Sequence, residues 1–306
     1  MDVELLVMEN ASTDNTLQIC EELRQSFPGL RIVSNPTTLT FDLNIANAVR
    51  EAKGEYVWIM ADDDVPEPGA LSIVYGLLQS YRPATLLTNF RKVGPNLEEL
   101  QEDPKIDRPE AENFGSTISV FEVAENALQG ASFEIFGLLS AIVVRRSDYV
   151  QLSQDLNLGL PEGFDFLYLI PRIMQRGSTV FIDEKLVLFR QYKKRWETSK
   201  DYSQSMNIFF VIIPTILTRL AEAGYSRKTI SSLKRHHLAN LTQQLITAAE
   251  SGMHYRGKFF QKLVQANYAN PVFWLQVPVF LLPRTTLKKL EFLYQGRLAG
   301  FLRATL

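Results

Sequence analysis

Short apolar runs alternate with segments of helical spacing over the first third of the chain. Apolar runs of the length of a buried strand occur at Val3–Met8, Leu30–Ser34, Glu55–Met60 and Ala84–Phe90. Between them, apolar residues recur at helical spacing within residues 12–27, 41–52 and 68–81. This order predicts an α/β fold with a mostly parallel sheet and helices on both of its faces.

The sequence also predicts the ends of the first helix and the apolar face of the third. Ser12, Thr13 and Asp14 precede the first helix and offer side chains for its N-cap, and Pro28-Gly29 would end it. The third helix would begin near Pro68, and its apolar face would carry Leu71, Val74, Leu78 and Tyr81.

The rest of the chain is less regular. Residues Arg91–Phe114 lack periodicity and are rich in Glu, Asp and Pro, which predicts a long surface loop. The elements expected next are a helix over Ser119–Leu128, a strand over Leu138–Arg145, a helix over Leu167–Arg176 and a strand or hairpin over Thr179–Phe189. Helical spacing prevails after Asp201, so we expect an α/β domain over residues 1–200 and a helical region over residues 201–306.

Few residues suit soft-metal or nucleophilic chemistry. Cys20 is the only cysteine among 306 residues, which excludes an internal disulfide and a cysteine-ligated metal and suits a reducing compartment. None of the three histidines lies near an acidic cluster at ligand spacing, so neither a histidine zinc site nor a Ser-His-Asp triad is expected. The N-terminus does not resemble a leader peptide, and no apolar run reaches about 20 residues, which favours a cytoplasmic location.

Charge is distributed unevenly, although the formal net charge is only -2. From Ser251 onwards, Glu291 is the single acidic residue beside eight basic ones, and Trp274 and other aromatic residues lie among them. This pattern is typical of a region that lies peripherally on an anionic membrane, here its inner face. A helical appendage with its basic side in water explains the pattern equally. No recognition motif accompanies the charge, so no nucleic-acid partner is expected.

Three consecutive carboxylates, Asp62, Asp63 and Asp64, are the most distinctive chemical feature. They directly follow the apolar run that ends at Met60, and open α/β sheets bind ligands at the carboxyl ends of their strands. Mg²⁺ and Mn²⁺ take oxygen ligands and commonly bridge a carboxylate to a diphosphate. The triplet therefore indicates a divalent-metal site. The alternative is a solvated acidic turn ahead of the next helix.

A second polar segment, Glu9–Thr16, follows the first predicted strand and opens a helix. The carboxylate of Glu9 and the amide of Asn10 suit hydrogen bonds to the edge of a base or a ribose. A simple helix cap would explain this segment equally well.

Together, the two segments resemble family 2 glycosyltransferases of the GT-A fold. ENASTDNT at Glu9–Thr16 is similar to the DDGSTDGT-type turn of that family. FDLNIANAVREAKGEYVWIMADDD at Phe41–Asp64 is similar to its second signature, in which a helix ending in A-x-G-E-Y leads to the DxD metal motif. The nearest branch is the abequosyltransferase-like group of bacterial surface-polysaccharide enzymes. The resemblance is strong over Val3–Tyr81 and thinner to about Tyr192.

The resemblance implies a role for each matching residue. Glu9 and Asn10 would contact the base of a nucleotide-sugar, with Asn35 and Asp42 nearby. The DxD position, which lies near the donor ribose, the diphosphate and a Mg²⁺ or Mn²⁺ ion, is occupied by the acidic triplet. The candidate metal ligands there are Asp62 and Asp64, and the candidate donor contacts are Asp62 and Asp63.

The general base of the family lies in an acidic pair ahead of an L-x-x-R-x-x-x-x-G pattern. Aligning Arg172 and Gly177 with that pattern places Asp165 at the first acidic position and Phe166 at the second, so the usual pair is broken. One carboxylate is enough to remove the proton of an acceptor hydroxyl. Asp165 is therefore the candidate catalytic base, with Glu162 as the fallback. The alternative is that Asp165 caps the following helix.

The chain departs from the family pattern in two further respects. The family's opening strand and its P-x-Y-N turn do not precede Val3–Thr16, which would leave neighbouring strands with unpaired backbone groups. Either the start of the sequence is misassigned, or the molecule is a truncated relative with impaired activity. Gln191–Trp196 has one residue too many for the Q-x-x-R-W motif of processive synthases. It is either a basic loop over the donor diphosphate or a solvated surface.

The resemblance thus implies an inverting, metal-dependent transfer of a sugar from a nucleotide-sugar to a polysaccharide or lipid-linked acceptor in surface-glycan biosynthesis. The first alternative is a truncated, inactive relative that acts as a membrane-associated binding protein through its helical region. The second is a nucleotidyltransferase of similar sheet architecture, although the Gly-rich opening with Arg or Lys that such enzymes use is not seen.

Overall fold

The computed structural model describes residues 2–98, 100, 118–128, 136–154, 164–191, 208–234 and 237, together with positions 261, 264, 265 and 274. Two compact units are present. The first comprises residues 1–105, 110–127 and 134–191, and the second comprises 106–109, 128–133 and 192–306. The expected division of the chain at residue 200 stays a prediction.

Up to residue 93, the first unit contains each predicted strand and helix, together with one short strand at Val65–Pro66 that the sequence did not predict. These elements are β1 (Leu5–Glu9), α1 (Thr16–Ser26), β2 (Leu30–Ser34), α2 (Phe41–Glu51), β3 (Tyr56–Trp58), β4 (Val65–Pro66), α3 (Ala70–Tyr81) and β5 (Thr85–Val93). The later elements are β6 (Ile118–Phe121), α4 (Ala124–Leu128), a 3₁₀ turn (Leu139–Ala141), β7 (Ile142–Arg145), α5 (Arg146–Ser153), α6 (Phe166–Met174) and β8 (Thr179–Arg190).

The strands form two separate sheets within the described part of the chain. β1 and β2 pair in parallel, with Glu9 opposite Ser34 at their carboxyl ends. The other six strands form one sheet in the order β3-β7-β5-β8-β4, with β6 paired to β8. Only the β5–β8 pair is parallel in that sheet. The α/β class is confirmed, but the expectation of a mostly parallel sheet is wrong, because hydrophobic periodicity does not encode strand direction.

Several predicted elements need correction. Arg91–Val93 belong to β5 and not to a loop, whereas residues 99 and 101–114 of the expected loop lie outside the described residues. The expected helix over Ser119–Leu128 begins as strand β6, because its backbone pairs with the start of β8. The expected strand over Leu138–Arg145 begins with the 3₁₀ turn. The N-cap residue of α1 is Asn15 and not one of the three expected residues, although Asp14 does accept a hydrogen bond from the backbone N–H of Thr16 at 3.0 Å.

Helix α3 supplies one layer of the main core. Its buried residues pack with apolar residues of β5, β7 and β8 in a cluster of Ala70, Val74, Leu77, Leu78, Leu86, Val143, Val180, Ile182 and Leu186. Leu71 and Tyr81 are 40% and 42% exposed, so the predicted apolar face is wrong at these two positions. Leu77 is buried with Val74 and Leu78, because the contact face is rotated towards the i+3 and i+4 neighbours of Val74.

The described part of the second unit is helical, as the sequence predicts for this region. A π-helical turn at Ile208–Ile212 leads into α7 (Ile213–Glu222), and residues 227–234 are also helical. Helix α7 buries residues at helical spacing, namely Ile213, Ile216, Leu217 and Leu220. Within the described ranges, no helix has the length and apolar character required to cross a bilayer. The basic region after Ser251 lies almost entirely outside these ranges.

Candidate active site

Glu9 ends β1 with its side chain only 5% exposed. Its Oε1 accepts a hydrogen bond from the backbone N–H of Ser12 at 2.5 Å. This bond is the main reason that the pKa of Glu9 lies below its usual value, since burial acts in the opposite direction. Ala11 adopts a left-handed conformation with φ +55°, which lets the chain turn around the carboxylate. Glu9 is thus an ionised, well-fixed group at the carboxyl end of β1.

Two asparagines join the end of β1 to the segment that follows β2. The side chain of Asn10 bonds the backbone of Leu39 twice, donating from Nδ2 at 3.0 Å and accepting at Oδ1 at 2.9 Å. Nδ2 of Asn35 donates to Oδ1 of Asn10 at 3.0 Å and to Oδ1 of Asn44 at 2.7 Å. The structure therefore brings Asn10 and Asn35 together near Glu9, as the resemblance implies. Most of their hydrogen-bonding capacity is used within the protein.

The three aspartates after β3 lie in different environments. Asp62 is exposed, Asp63 is half-buried and Asp64 is only 7% exposed. Oδ1 of Asp64 accepts from the backbone N–H of Arg190, the last residue of β8, at 3.1 Å. Its Oδ2 is buried and has no hydrogen-bond partner in the part of the chain that the structure describes. Burial raises the pKa of Asp64, while the nearby hydroxyl of Ser140 and the backbone N–H of Arg190 oppose that rise.

Ser140 is a site residue that the sequence reasoning missed. It is fully buried in the 3₁₀ turn before β7. Its backbone oxygen accepts from Nε1 of Trp58 at 2.7 Å, and its Oγ accepts from the backbone N–H of Ala61 at 3.0 Å. Ser140 therefore fixes both the end of β3 and the start of the acidic triplet. The only signal available in the sequence was a hydroxyl inside an apolar run.

The acidic triplet fits a divalent cation in one specific respect. No group of three or more His, Cys, Asp or Glu side chains that could hold a metal occurs among the described residues. Oδ2 of Asp64, however, is a buried carboxylate oxygen without a hydrogen bond, and such an atom is costly unless a cation or a donor satisfies it. A hard ion with few protein ligands, whose other positions go to water and phosphate oxygens, matches this donor set.

Asp165 lies immediately before α6, in the N-cap position, but its side chain forms no cap hydrogen bond. The alternative that Asp165 serves as a helix cap is therefore wrong. Its backbone N–H donates to Oδ1 of Asp42 at 3.2 Å, which places Asp165 beside the first turn of α2. Burial, and then the charge of Asp42, raise the pKa of Asp165 to about 6. The fallback residue Glu162 lies outside the described residues.

The segment after β8 is described only at its first residue. The backbone N–H of Gln191 donates to the carbonyl oxygen of Val93 at 2.7 Å and extends the pairing of β5 with β8. Residues 192–196, which carry the basic part of the Gln191–Trp196 segment, lie outside the described residues.

Solved structures define the class of protein to which this fold belongs. TarS 1–349 from S. aureus superposes with a TM-score of 0.58 at 15% identity, covering 86% of this chain and 71% of that one. GalNAc-T7, solved with UDP, GalNAc and Mn²⁺, gives a TM-score of 0.50 at 10% identity and covers 89% of this chain and 49% of that one. Likeness at such low identity shows the fold alone, and that fold is the GT-A glycosyltransferase fold.

Sequence comparison gives the family. Residues 1–134 match the model for glycosyl transferase family 2. The chondroitin synthase of Pasteurella multocida (strain Pm70) is 33% identical over 97 residues, which are 31% of this chain and 10% of the synthase. The abequosyltransferase RfbV of Salmonella typhimurium is 29% identical over 102 residues, or 33% of this chain and 30% of that protein. The matched segment thus spans less than a third of each relative, and the predicted family is confirmed.

Proposed function

We propose that this glycosyltransferase moves a sugar from a nucleotide-sugar donor to a polysaccharide or lipid-linked acceptor, with inversion at the anomeric carbon and with a divalent metal ion. The observation that carries the proposal is the buried, unsatisfied Oδ2 of Asp64 directly after β3. Two structures of TarS, solved with UDP-GlcNAc and with UDP, support a nucleotide-sugar as the donor class. The manganese ion of GalNAc-T7 supports the metal.

The donor would lie across the carboxyl ends of β1 and β3. Glu9, which is ionised and fixed by Ser12, would accept hydrogen bonds from the base or ribose. Asn10 and Asn35 would hold the wall of the pocket beside it through their own network. Asp62 and Asp64 would hold Mg²⁺ or Mn²⁺, which would neutralise the charge that develops on the leaving diphosphate. Asp63 would face the donor.

Asp165 would act as the general base. Its carboxylate would take the proton of the acceptor hydroxyl while that oxygen forms a bond to the anomeric carbon and the bond to the diphosphate breaks. A pKa of about 6 suits this role, because the group is largely ionised near neutral pH and yet binds a proton more strongly than an ordinary aspartate. The side chain is available for it, since it does not cap α6.

Nucleotide binding tests the metal and donor site directly. Isothermal titration with UDP, dTDP, CDP and GDP should reveal one preferred nucleotide whose binding tightens on addition of Mn²⁺. Asp64→Ala and Asp62→Ala should remove the increment due to Mn²⁺, whereas the control Asp2→Asn, at an exposed carboxylate, should keep it. The proposal fails if no nucleotide binds, or if the double variant Asp62→Ala/Asp64→Ala binds nucleotide with its Mn²⁺ dependence intact.

Catalysis is tested by following nucleotide release from the nucleotide-sugars that bind. Asp165→Asn should keep the affinity for the nucleotide but lose about 10²- to 10⁴-fold in release rate. A variant as fast as the native protein would refute the role of Asp165 and direct attention to Glu162→Gln. Binding without any release by the native protein would support the inactive relative instead.

The acceptor and location are proposed from the basic C-terminal region. A lipid-linked acceptor would explain the concentration of Lys and Arg after Ser251, because such a region is attracted to anionic lipid headgroups. The protein would then work in the cytoplasm, peripherally on the inner face of the membrane. Flotation with vesicles containing anionic lipid should carry the protein upwards at low salt and release it at high salt. The same result with purely zwitterionic vesicles would contradict this part of the proposal.

A further inference from the structure

Two carboxylates far apart in sequence meet at the candidate base. Asp42 lies in the first turn of α2 and Asp165 lies directly before α6, 123 positions further along the sequence. The backbone N–H of Asp165 donates to Oδ1 of Asp42 at 3.2 Å. Helix α5 contacts both α2 and α6 and completes this corner of the first unit. Asp42 is therefore the group that fixes the peptide of Asp165 in space.

Burial and a neighbouring negative charge dominate the surroundings of Asp165. Tyr149 of α5 is 2% exposed, and this burial raises the pKa of its hydroxyl, as do the charges of Asp42 and Asp165. Arg50 of α2 acts on Tyr149 in the opposite direction. For Asp165 itself, burial and then Asp42 raise the pKa, and no cation among the described residues contributes to lowering it. The position after Asp165 is occupied by Phe166, which is buried and carries no charge.

A contact between Asp42 and the nucleotide base is the competing role, because the sequence places Asp42 near the donor. One of its two carboxylate oxygens is used by the peptide of Asp165. Asp42 is not the N-cap of α2, because Oγ1 of Thr40 caps that helix by accepting from the backbone N–H of Leu43. The geometry thus favours an action of Asp42 on Asp165.

We propose that Asp42 is a positioning residue for Asp165. Its Oδ1 anchors the backbone N–H of Asp165, and its charge takes the place of the second acidic residue, whose position Phe166 occupies in this chain. The catalytic meaning of this inference rests on the proposed function, because Asp165 is the base only if the chain transfers sugar. The physical statement, that Asp42 controls where Asp165 lies and how readily it binds a proton, does not depend on that function.

Two substitutions separate the anchor from the charge. Asp42→Asn keeps a side-chain oxygen that can accept from the peptide of Asp165 and removes the negative charge. Asp42→Ala removes both. A carboxylate next to a like charge holds its proton to higher pH. Without the charge of Asp42, Asp165 should therefore lose its proton at lower pH, and the acidic limb of any activity that needs the ionised base should move to lower pH.

The first test uses the protein alone, without any ligand. Carbon-13 NMR of protein labelled at the aspartate carboxyls, with Asp165→Asn used to assign the resonance, should show Asp165 titrating near pH 6. Asp42→Asn should lower that midpoint by about 0.5 to 1 unit, while the control Asp2→Asn should leave it unchanged. An unchanged midpoint in Asp42→Asn overturns the proposal, as does an ordinary aspartate midpoint in the native protein.

The second test uses nucleotide release from UDP-GlcNAc, the probe chosen because TarS binds it. Asp42→Asn should shift the acidic limb of kcat/KM downwards by the same amount with little change in UDP affinity, and Asp42→Ala should lose about tenfold or more in kcat. Partial rescue by Asp42→Glu would support the anchor. A large loss of UDP affinity in Asp42→Asn, with an unshifted pH profile, would make Asp42 a donor contact and overturn the proposal.

The two failures can be told apart. If the NMR midpoint moves but the native protein releases no nucleotide from any donor, the proposed function fails and the action of Asp42 on Asp165 stands. If the native protein is active and the midpoint does not move, the proposed function stands and Asp42 is not the positioning residue.

Discussion

Replacing Asp165 by asparagine should stabilise the fold while it removes catalysis. The carboxyl of Asp165 has its pKa raised from 3.8 to about 6, first by burial and then by Asp42. A shift of about 2 units corresponds to roughly 3 kcal/mol if solvent does not intervene. Because Asp165 is only half-buried, screening should reduce this to about 1 to 2 kcal/mol. That is the cost of ionising Asp165 in the folded protein.

The direction of this pKa shift determines how the stability of the folded protein depends on pH. A carboxyl with a raised pKa in the folded state contributes stability that is fully present below pH 3.8 and is lost as the pH rises through about 6. Asp165→Asn cannot ionise and does not suffer this loss. We therefore expect the variant to be more stable than the native protein at pH 8, and expect the difference to shrink as the pH falls and to vanish near pH 4.

Urea unfolding followed by tryptophan fluorescence measures the effect. Trp58, which is hydrogen-bonded to Ser140, reports on the first unit, so the other two tryptophans are best removed by Trp196→Phe and Trp274→Phe. Asp2→Asn, at an exposed carboxylate, serves as the control and should change stability little at either pH. The reasoning is refuted if Asp165→Asn is no more stable at pH 8, or if its gain is as large at pH 4.

Four further substitutions test the core and the site by urea unfolding. Leu77→Ala should cost about 2 to 5 kcal/mol of unfolding free energy, whereas Leu71→Ala on the same helix should cost under about 0.5 kcal/mol, because only Leu77 is buried. Ser140→Ala leaves the N–H of Ala61 without its acceptor and should cost about 1 to 3 kcal/mol, and it should weaken the Mn²⁺-dependent part of nucleotide binding measured by titration. Glu9→Gln should be less stable than the native protein above pH 4.5, because the pKa of Glu9 is lowered on folding, and the gap should close as the pH falls below that value.

Local signals were enough for the first half of the fold. The bounds of β2 were predicted to the residue and those of α2 to within one, because their apolar spacing and breakers lie within the elements themselves. The prediction failed at β6, where the pairing with β8 decides the structure and the partner lies about 60 residues away. The antiparallel direction of β7 has the same origin.

The candidate site was likewise predictable only where it depends on residues close together in sequence. The sequence identified the acidic triplet but could not rank its members, because Asp64 is distinguished by its burial and by a hydrogen bond from Arg190, which lies 126 residues further on. It identified Asp165 and Asp42 separately and assigned them to different tasks. Their contact spans 123 residues and is visible only after the helices have packed.

Strand β8 pairs with three other strands, which makes its middle sensitive to insertions and deletions. Its beginning pairs with β6 and its end pairs with β4, while β5 runs along its whole length. Asp183–Lys185 lie exposed between these two ends, where the pairing with β5 is irregular and Asn89 bonds the carboxylate of Asp183 at 2.9 Å. A residue inserted there would leave the β6 end in place but shift Arg190 past Asp64 and turn the core residues of the last stretch outwards. A label or affinity tag therefore belongs elsewhere, because even a one-residue change at this point would disturb both the core and the candidate metal site.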